Sequence, residues 1–195
     1  MLQRQKDSKE KWLEEGYRQF AICGPDKLSV NQISKEIGSA RASFYHYFGD
    51  TDIFIDELLA RHWRICAGFN KLGKEQCKVL FPDLYLLLGQ YTTPLQFNLQ
   101  LFHNRHCTRY NYLFLKTYTA SANDFALQLL ANHLDLNPND PALYNLWITM
   151  GEAWYSRLNP NDLSANTLQR HSEKVLESIT SFINSNLFSA LFKNY

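Results

Sequence analysis

The segment from Leu28 to Phe48, LSVNQISKEIGSARASFYHYF, constrains this chain more than any other stretch of it. Val30, Ile33 and Ile37 recur at helical spacing behind Ser29, a good N-cap, and predict a short helix with one buried stripe. Gly38 predicts a tight turn. A second short helix then begins near Ala40, burying Phe44 and Phe48 while exposing Arg41, Ser43, Tyr45 and His46. Two short helices joined in this way form a helix-turn-helix, whose second helix can enter the major groove of DNA. Sequence-specific DNA binding is the leading functional expectation.

Overall charge does not supply that binding. The 195 residues carry a formal net charge of +1, and residues 1–48, with eight basic and six acidic side chains, a net charge of +2. Affinity for a polyanion must then come from local placement of groups, and a groove-directed contact fits this mild bias better than an electrostatic clamp. A hydrophobic content of 45% is ample for a core, in one large domain or a small domain joined to a larger one. Cys23, Cys66, Cys77 and Cys107 are widely spaced with no CxxC pair, so reduced thiols are expected rather than a disulfide framework. The charged N-terminus lacks the apolar stretch of a secretory signal, and no uncharged apolar run approaches the ~20 residues of a membrane span. The expectation is a cytoplasmic protein without a membrane partner.

Helical periodicity runs along almost the whole chain. Leu13, Tyr17, Phe20 and Ala21 mark a first helix that Gly24-Pro25-Asp26 interrupts. After Phe48-Gly49, Asp50 is placed to cap a long helix with Asp52 in its first turn. In that helix Phe54, Leu58, Ile65 and Phe69 lie near one face and Ile55, Leu59 and Cys66 near another, which predicts packing on two sides and a bridge to the larger body. Pro82, Pro94, Pro138, Pro141 and Pro160 divide the remainder into about five helices, the longest runs lying near 107–133, 141–157 and 163–188. The fold class expected is all-α, about nine helices in total. Residues 1–50 form the helix-turn-helix domain and residues 51–195 a helical domain for ligand binding and dimerisation.

Several independent positions then agree with one family. Ser29-Val30, Ile33-Ser34, Ile37-Gly38, Ser43-Phe44-Tyr45-His46-Tyr47-Phe48, Gly49-Asp50 and Phe54, preceded by Phe20 and Gly24, resemble the DNA-binding domain of TetR-type transcriptional regulators over residues 8–60. Residues 61–195 match that family only in length and helical character. The resemblance implies a homodimer that presents two recognition helices to a near-palindromic double-stranded DNA operator, most simply as a repressor. Two-fold symmetry would set those helices about one DNA turn, ~34 Å, or a related spacing apart.

Within the motif, Arg41 suits bidentate bonding to guanine O6 and N7. Tyr45 corresponds to a phosphate contact of the family, and His46 to a phosphate or base-edge contact. Ser29 and Ser43 can reach phosphate oxygens, the amides opening the first motif helix favour an anion, and Asn31, Gln32 and Ala40 complete the candidate contact positions. Ser29 can equally be a cap only, and Tyr45 a packing residue only. Two positions depart from the family pattern. Ala40 stands where Ser or Thr is frequent, which weakens the helix cap by about 1 kcal/mol unless Ser39 substitutes. Thr51 stands where Lys is frequent, which removes a phosphate contact and flattens the salt dependence of binding.

Residues 61–195 are rich in aromatics, including Trp63, Tyr91, Phe97, Tyr112, Trp147 and Trp154. Core packing explains most of them, yet such residues with a few polar anchors can also line a mostly apolar pocket. His103, Tyr110, Phe114 and Trp147 are the candidate contacts for a small apolar or aromatic effector, which would favour a dimer geometry mismatched to the operator. His103 and Cys107 would share a face if helical, but no carboxylate completes a metal site and Asn104-Arg105 suggests a turn, so no metal and no cofactor are expected. A Cys107–His hydrolase is the rival class and lacks an orienting acid and an oxyanion loop; no enzymatic activity is expected. A scaffold on DNA controlled by a protein partner is a further alternative. For dimerisation the helices at 141–157 and 163–188 are the expected surface, through Trp147, Gly151 and Trp154 on one and Leu168, Val175 and Ile179 on the other, or else these residues are ordinary core.

Overall fold

A computed structural model describes residues 2–183, with side chains placed from residue 7 to residue 181. Ten α-helical segments account for these residues, and the backbone stays helical from α7 into α8 through a π-wound Ala122–Ala126, so the expected architecture of about nine helices is present. The described residues form no strand, and Asn159 and Asp162 make one isolated bridge. The end of the last expected helix, residues 184–188, lies outside the described residues.

Packing separates two compact units. The first contains α1 (Leu2–Cys23), α2 (Val30–Glu36), α3 (Arg41–Phe48), α4 (Thr51–Gln76), α6 (Thr92–His103) and α7 (Thr108–Ser121). Asp50 caps α4 as its sequence predicts, its Oδ1 accepting from the Ile53 amide at 2.8 Å. Leu13, Tyr17, Phe20 and Ala21 are all buried on α1, joined there by a fully enclosed Trp12. Gly16 permits a close helix crossing, because a Cβ at that position would lie 2.2 Å from Cζ of Phe54 on α4.

The interior of this unit has an aromatic part and a polar part. Phe97 of α6 stacks on Tyr17 and Phe20 of α1, with ring centroids 4.6 and 4.1 Å away, and on His62 of α4 at 4.3 Å. His62 is wholly buried, which the apolar face pattern of α4 does not suggest. Its Nε2 lies 3.0 Å from Asn98 Oδ1, an atom that only accepts, so Nε2 carries the proton and Nδ1 accepts from the Tyr17 hydroxyl at 2.7 Å. One helical turn and two turns further along α4, Cys66 and Asn70 are buried as well, and Asn70 bonds Ser121 and Asp124. Ile65 and Phe69, expected on a buried face, are only half-buried. The stripe that α4 turns inward is therefore Phe54–Ile55–Leu58–His62–Cys66–Asn70–Gly73, apolar at its start and polar beyond.

The second unit holds α5 (Tyr85–Gln90) with the preceding turn Leu80–Leu84, α8 (Leu127–Leu134), α9 (Pro141–Tyr155) and α10 (Ala165–Ile183). Pro141 opens α9 at a position where its missing N–H has no helical partner to lose, and Asp140 caps that helix through the Ala142 amide at 2.8 Å. Ahead of α10 the Asp162 carboxylate accepts from the Ser164 and Thr167 hydroxyls, both at 2.9 Å, and these bonds hold it below the usual carboxylate range. Trp147, Gly151, Trp154, Leu168 and Val175 are buried in their own chain, and Trp154 Nε1 donates to the Leu168 carbonyl at 3.0 Å. These side chains are core, the second of the two roles open to them from sequence; of the six residues named for the dimer surface, Ile179 alone is half-buried.

All four cysteines are free thiols. No helix among the described residues is long and apolar enough to cross a membrane.

Candidate nucleic-acid interface

The motif is built from the turn outward. Gly38 adopts φ 61°, a conformation that a side chain disfavours, although a Cβ there would meet nothing within 4 Å. The requirement for glycine at this turn is one of backbone shape alone. Around it the Ser39 amide donates to the Ser34 carbonyl at 3.1 Å, and the Ser34 hydroxyl donates to the Ser39 carbonyl at 2.6 Å. Ser34 thereby clamps both sides of the turn and fixes the angle at which α3 leaves α2.

On α3 the inward face is Phe44 and Phe48, at 0% and 2% exposure. Phe44 meets Trp12 at 5.3 Å and Phe54 at 5.1 Å, and Phe48 meets Phe54 at 4.7 Å. This aromatic floor joins α1, α3 and α4, and it orients the opposite face of α3 toward solvent. Arg41, Tyr45 and His46 are exposed there and Ser43 is half-buried, so the side chains expected on that face stand on it. Asn31, Gln32 and Ala40 are also exposed, and Ser29 is half-buried. Val30 and Ile37, expected to be buried with Ile33, are half-buried; a helix of seven residues has one interior turn, and only Ile33 reaches the floor of the unit.

Hydrogen bonding distinguishes the two candidate serines. Ser29 accepts from the Gln32 amide at 3.4 Å, a cap that leaves its own hydroxyl proton available to a phosphate oxygen. Ser43 already donates to the Ala40 carbonyl at 2.7 Å. Ala40 has no side-chain cap bond, and Ser39 does not replace it. The opening of α3 is closed instead by Ser43, whose amide and hydroxyl both reach the Ala40 carbonyl.

Ion pairs brace the motif from its flanks. Lys9 of α1 pairs with Glu57 of α4 at 2.7 Å, its ammonium 5.1 Å from the Phe48 ring centre, and Glu10 pairs with Arg61. Arg109, at the start of α7, reaches Asp52 at 3.1 Å and Asp56 at 3.5 Å on the first turns of α4. Two cations that sequence reasoning does not single out, Lys27 and Lys35, are exposed on the segments around α2. A basic residue at the edge of a half-apolar pattern is the only signal that marked them.

The candidate effector contacts occupy different settings. His103 is exposed at the end of α6. Tyr110 and Phe114, one turn apart on α7, are buried in the first unit, where Tyr110 meets Phe20 edge-on at 6.0 Å and Phe114 lies 5.4 Å from Phe102. Trp147 is buried in the second unit. The chain from Asn104 to His106 is a turn and Cys107 precedes α7, so His103 and Cys107 do not share a helix. Among the described residues no group of three or more His, Cys, Asp or Glu side chains is close enough to hold a metal ion.

Residues 13–58, the span from Leu13 through α4's first turns, match the family model of the bacterial regulatory proteins of the tetR family. The fold is similar to the crystal structure of a transcriptional regulator (TerR/AcrR family) from Aquifex aeolicus VF5, with a TM-score of 0.54 and 17% sequence identity, covering 89% of this chain and 98% of that one. No curated protein is significantly similar to the chain.

Proposed function

We propose, for a chain whose N-terminal domain belongs to the tetR family of bacterial regulatory proteins and which is a DNA-binding transcriptional regulator, that it acts as an effector-responsive repressor, bound as a homodimer to a palindromic operator. The observation that carries this reading is the two-faced α3, with Phe44 and Phe48 buried in an aromatic floor and Arg41, Tyr45 and His46 outward. Residues 1–50 supply the reading head in this proposal, and residues 51–195 the effector and dimer functions. Arg41 reads a guanine, Tyr45 and His46 contact the strand beside it, and Ser29, Asn31, Gln32 and Ser43 secure the backbone around Ala40.

The dimer surface falls on the outward faces of α9 and α10. On α9 that face carries Asn145, Ile148, Thr149 and Glu152, since Trp147 and Trp154 point into the chain's own core. A small apolar or aromatic molecule is the effector in this proposal. Such a molecule weakens binding by favouring a geometry of the pair that misfits the operator spacing.

Selection of bound duplexes from a random pool tests the DNA assignment. A two-fold symmetric consensus supports the reading, and recovery of no preferred sequence refutes it. Sedimentation equilibrium tests the dimer separately: the full chain should sediment as a dimer, and Ile148→Glu should shift it to monomer.

A further inference from the structure

A shallow groove of about 460 Å³ on the first unit is lined by Trp63 of α4, by Tyr112, Leu115, Lys116, Thr119 and Ala120 of α7, and by Asn123 just beyond it. Neither the reading head nor the aromatic core uses it. Tyr112 and Leu115 are 64% and 43% exposed, unusual for large apolar side chains sharing one helix face. The Lys116 ammonium sits 4.3 Å from the Trp63 ring centre and 5.7 Å from that of Tyr112. No carboxylate among the described residues pairs with it.

From this we propose that the groove is a binding site for a small amphipathic carboxylate, whose aromatic or aliphatic body lies on Trp63 and Leu115 and whose anion pairs with Lys116. Charge complementarity selects the anion. Among the described residues Lys116 is the only ionised side chain lining the groove, so a carboxylate gains a partner there and a cationic ligand meets repulsion. The volume falls in the range of about 300–1,000 Å³ typical of small-ligand sites, with the same mostly apolar lining and few polar anchors. Thr119 on the last turn of α7 and Asn123 in the π-wound segment after it carry polar side chains along the edge. Calling this acid the effector rests on the repressor reading above; its binding does not.

Calorimetric titration of the full chain with 2-naphthoate, 2-naphthalenemethanol and 2-naphthylmethylammonium tests the site. The acid should bind most tightly and the ammonium least. Lys116→Gln should weaken naphthoate by about two- to fivefold, the range an exposed charge pair supports, and leave the alcohol unchanged. Lys116→Arg should restore the acid. Lys116 is exposed, and an unchanged thermal midpoint in Lys116→Gln confirms that the fold is retained. Equal binding of acid and alcohol, or naphthoate affinity indifferent to Lys116→Gln, overturns the proposal. So does self-association that Leu115→Glu abolishes, since the groove would then hold a second copy. Naphthoate binding with no operator in the duplex selection would refute the regulator reading and leave the site standing; an operator without naphthoate binding would do the reverse.

Discussion

The Tyr17 hydroxyl donates to Nδ1 of His62 across 2.7 Å in the protein interior, tying the helix before the reading motif to the helix after it. The bond requires a neutral imidazole, and the surroundings enforce one. Burial lowers the His62 pKa from 6.5 to about 4, only partly opposed by the hydrogen bond to Asn98, and the same burial raises the Tyr17 hydroxyl well above its ordinary range.

A pH dependence of stability follows. In the unfolded chain His62 takes up a proton near 6.5, and in the folded chain only near 4. Between these values the unfolded state binds more protons, so stability is complete above about 6.5 and is lost progressively as pH falls from there to about 4. Urea unfolding at about pH 7 and about pH 5 should differ by on the order of 2 kcal/mol from this group. In His62→Gln the difference should shrink by that amount; an unchanged difference would show that His62 titrates normally.

Gly16→Ala should destabilise the protein by about 1–3 kcal/mol, because the new methyl group enters the Phe54 ring at 2.2 Å and one helix must yield. Thermal melts report the loss. Phe54→Leu in the same chain should recover part of it, which a defect confined to α1 would not allow.

Replacing Arg41 affects recognition without affecting folding. Its side chain is exposed and outside the aromatic floor, so Arg41→Ala should leave the thermal midpoint unchanged. On the duplex recovered by selection the same change should cost about 1–3 kcal/mol and relax preference at one base pair per half-site. Arg41→Lys should restore non-specific affinity but not the preference, since one ammonium cannot make the paired contact.

In the second unit Trp154→Phe removes the indole N–H that donates to the Leu168 carbonyl at 3.0 Å and leaves a smaller ring in a buried place. The expected cost is about 1–3 kcal/mol in the urea midpoint, with DNA affinity per folded molecule unchanged. Tyr85→Phe offers a parallel case, since the buried Tyr85 hydroxyl donates to Ser172 Oγ at 2.5 Å. A shift in affinity without a shift in stability would argue that this unit acts on the reading head directly.

Periodicity and punctuation made the helices legible. Ser29, Asp50 and Gly38 each announced a boundary that the backbone respects, and the exposed side of α3 follows from Phe44 and Phe48 alone. Less legible was what the later helices turn inward. On α4 the sequence offers Ile65 and Phe69 beside Cys66 as natural core residues, yet buried places go to His62 and Asn70, because partners outside α4 satisfy their polar groups. Hydropathy scores a side chain by itself and is blind to a hydroxyl 45 residues away. Tyr112 shows the converse, an aromatic side chain that composition assigns to the core and the fold leaves in water.

Phe97, sandwiched between the rings of Tyr17, Phe20 and His62, has a practical consequence for transplanting the reading head. A chimera cut at residue 50 would carry Tyr17 and Phe20 away without the ring they stack on, and would also strip the Ala21 and Ile22 carbonyls of the Gln100 amide that donates to them. The graft would present two bare aromatic faces to solvent and aggregate before it met DNA. The portable cassette in this molecule is discontinuous, residues 1–75 together with 91–124, and engineers exchanging operator specificity should change side chains on α3 in place instead of moving the helices that hold it.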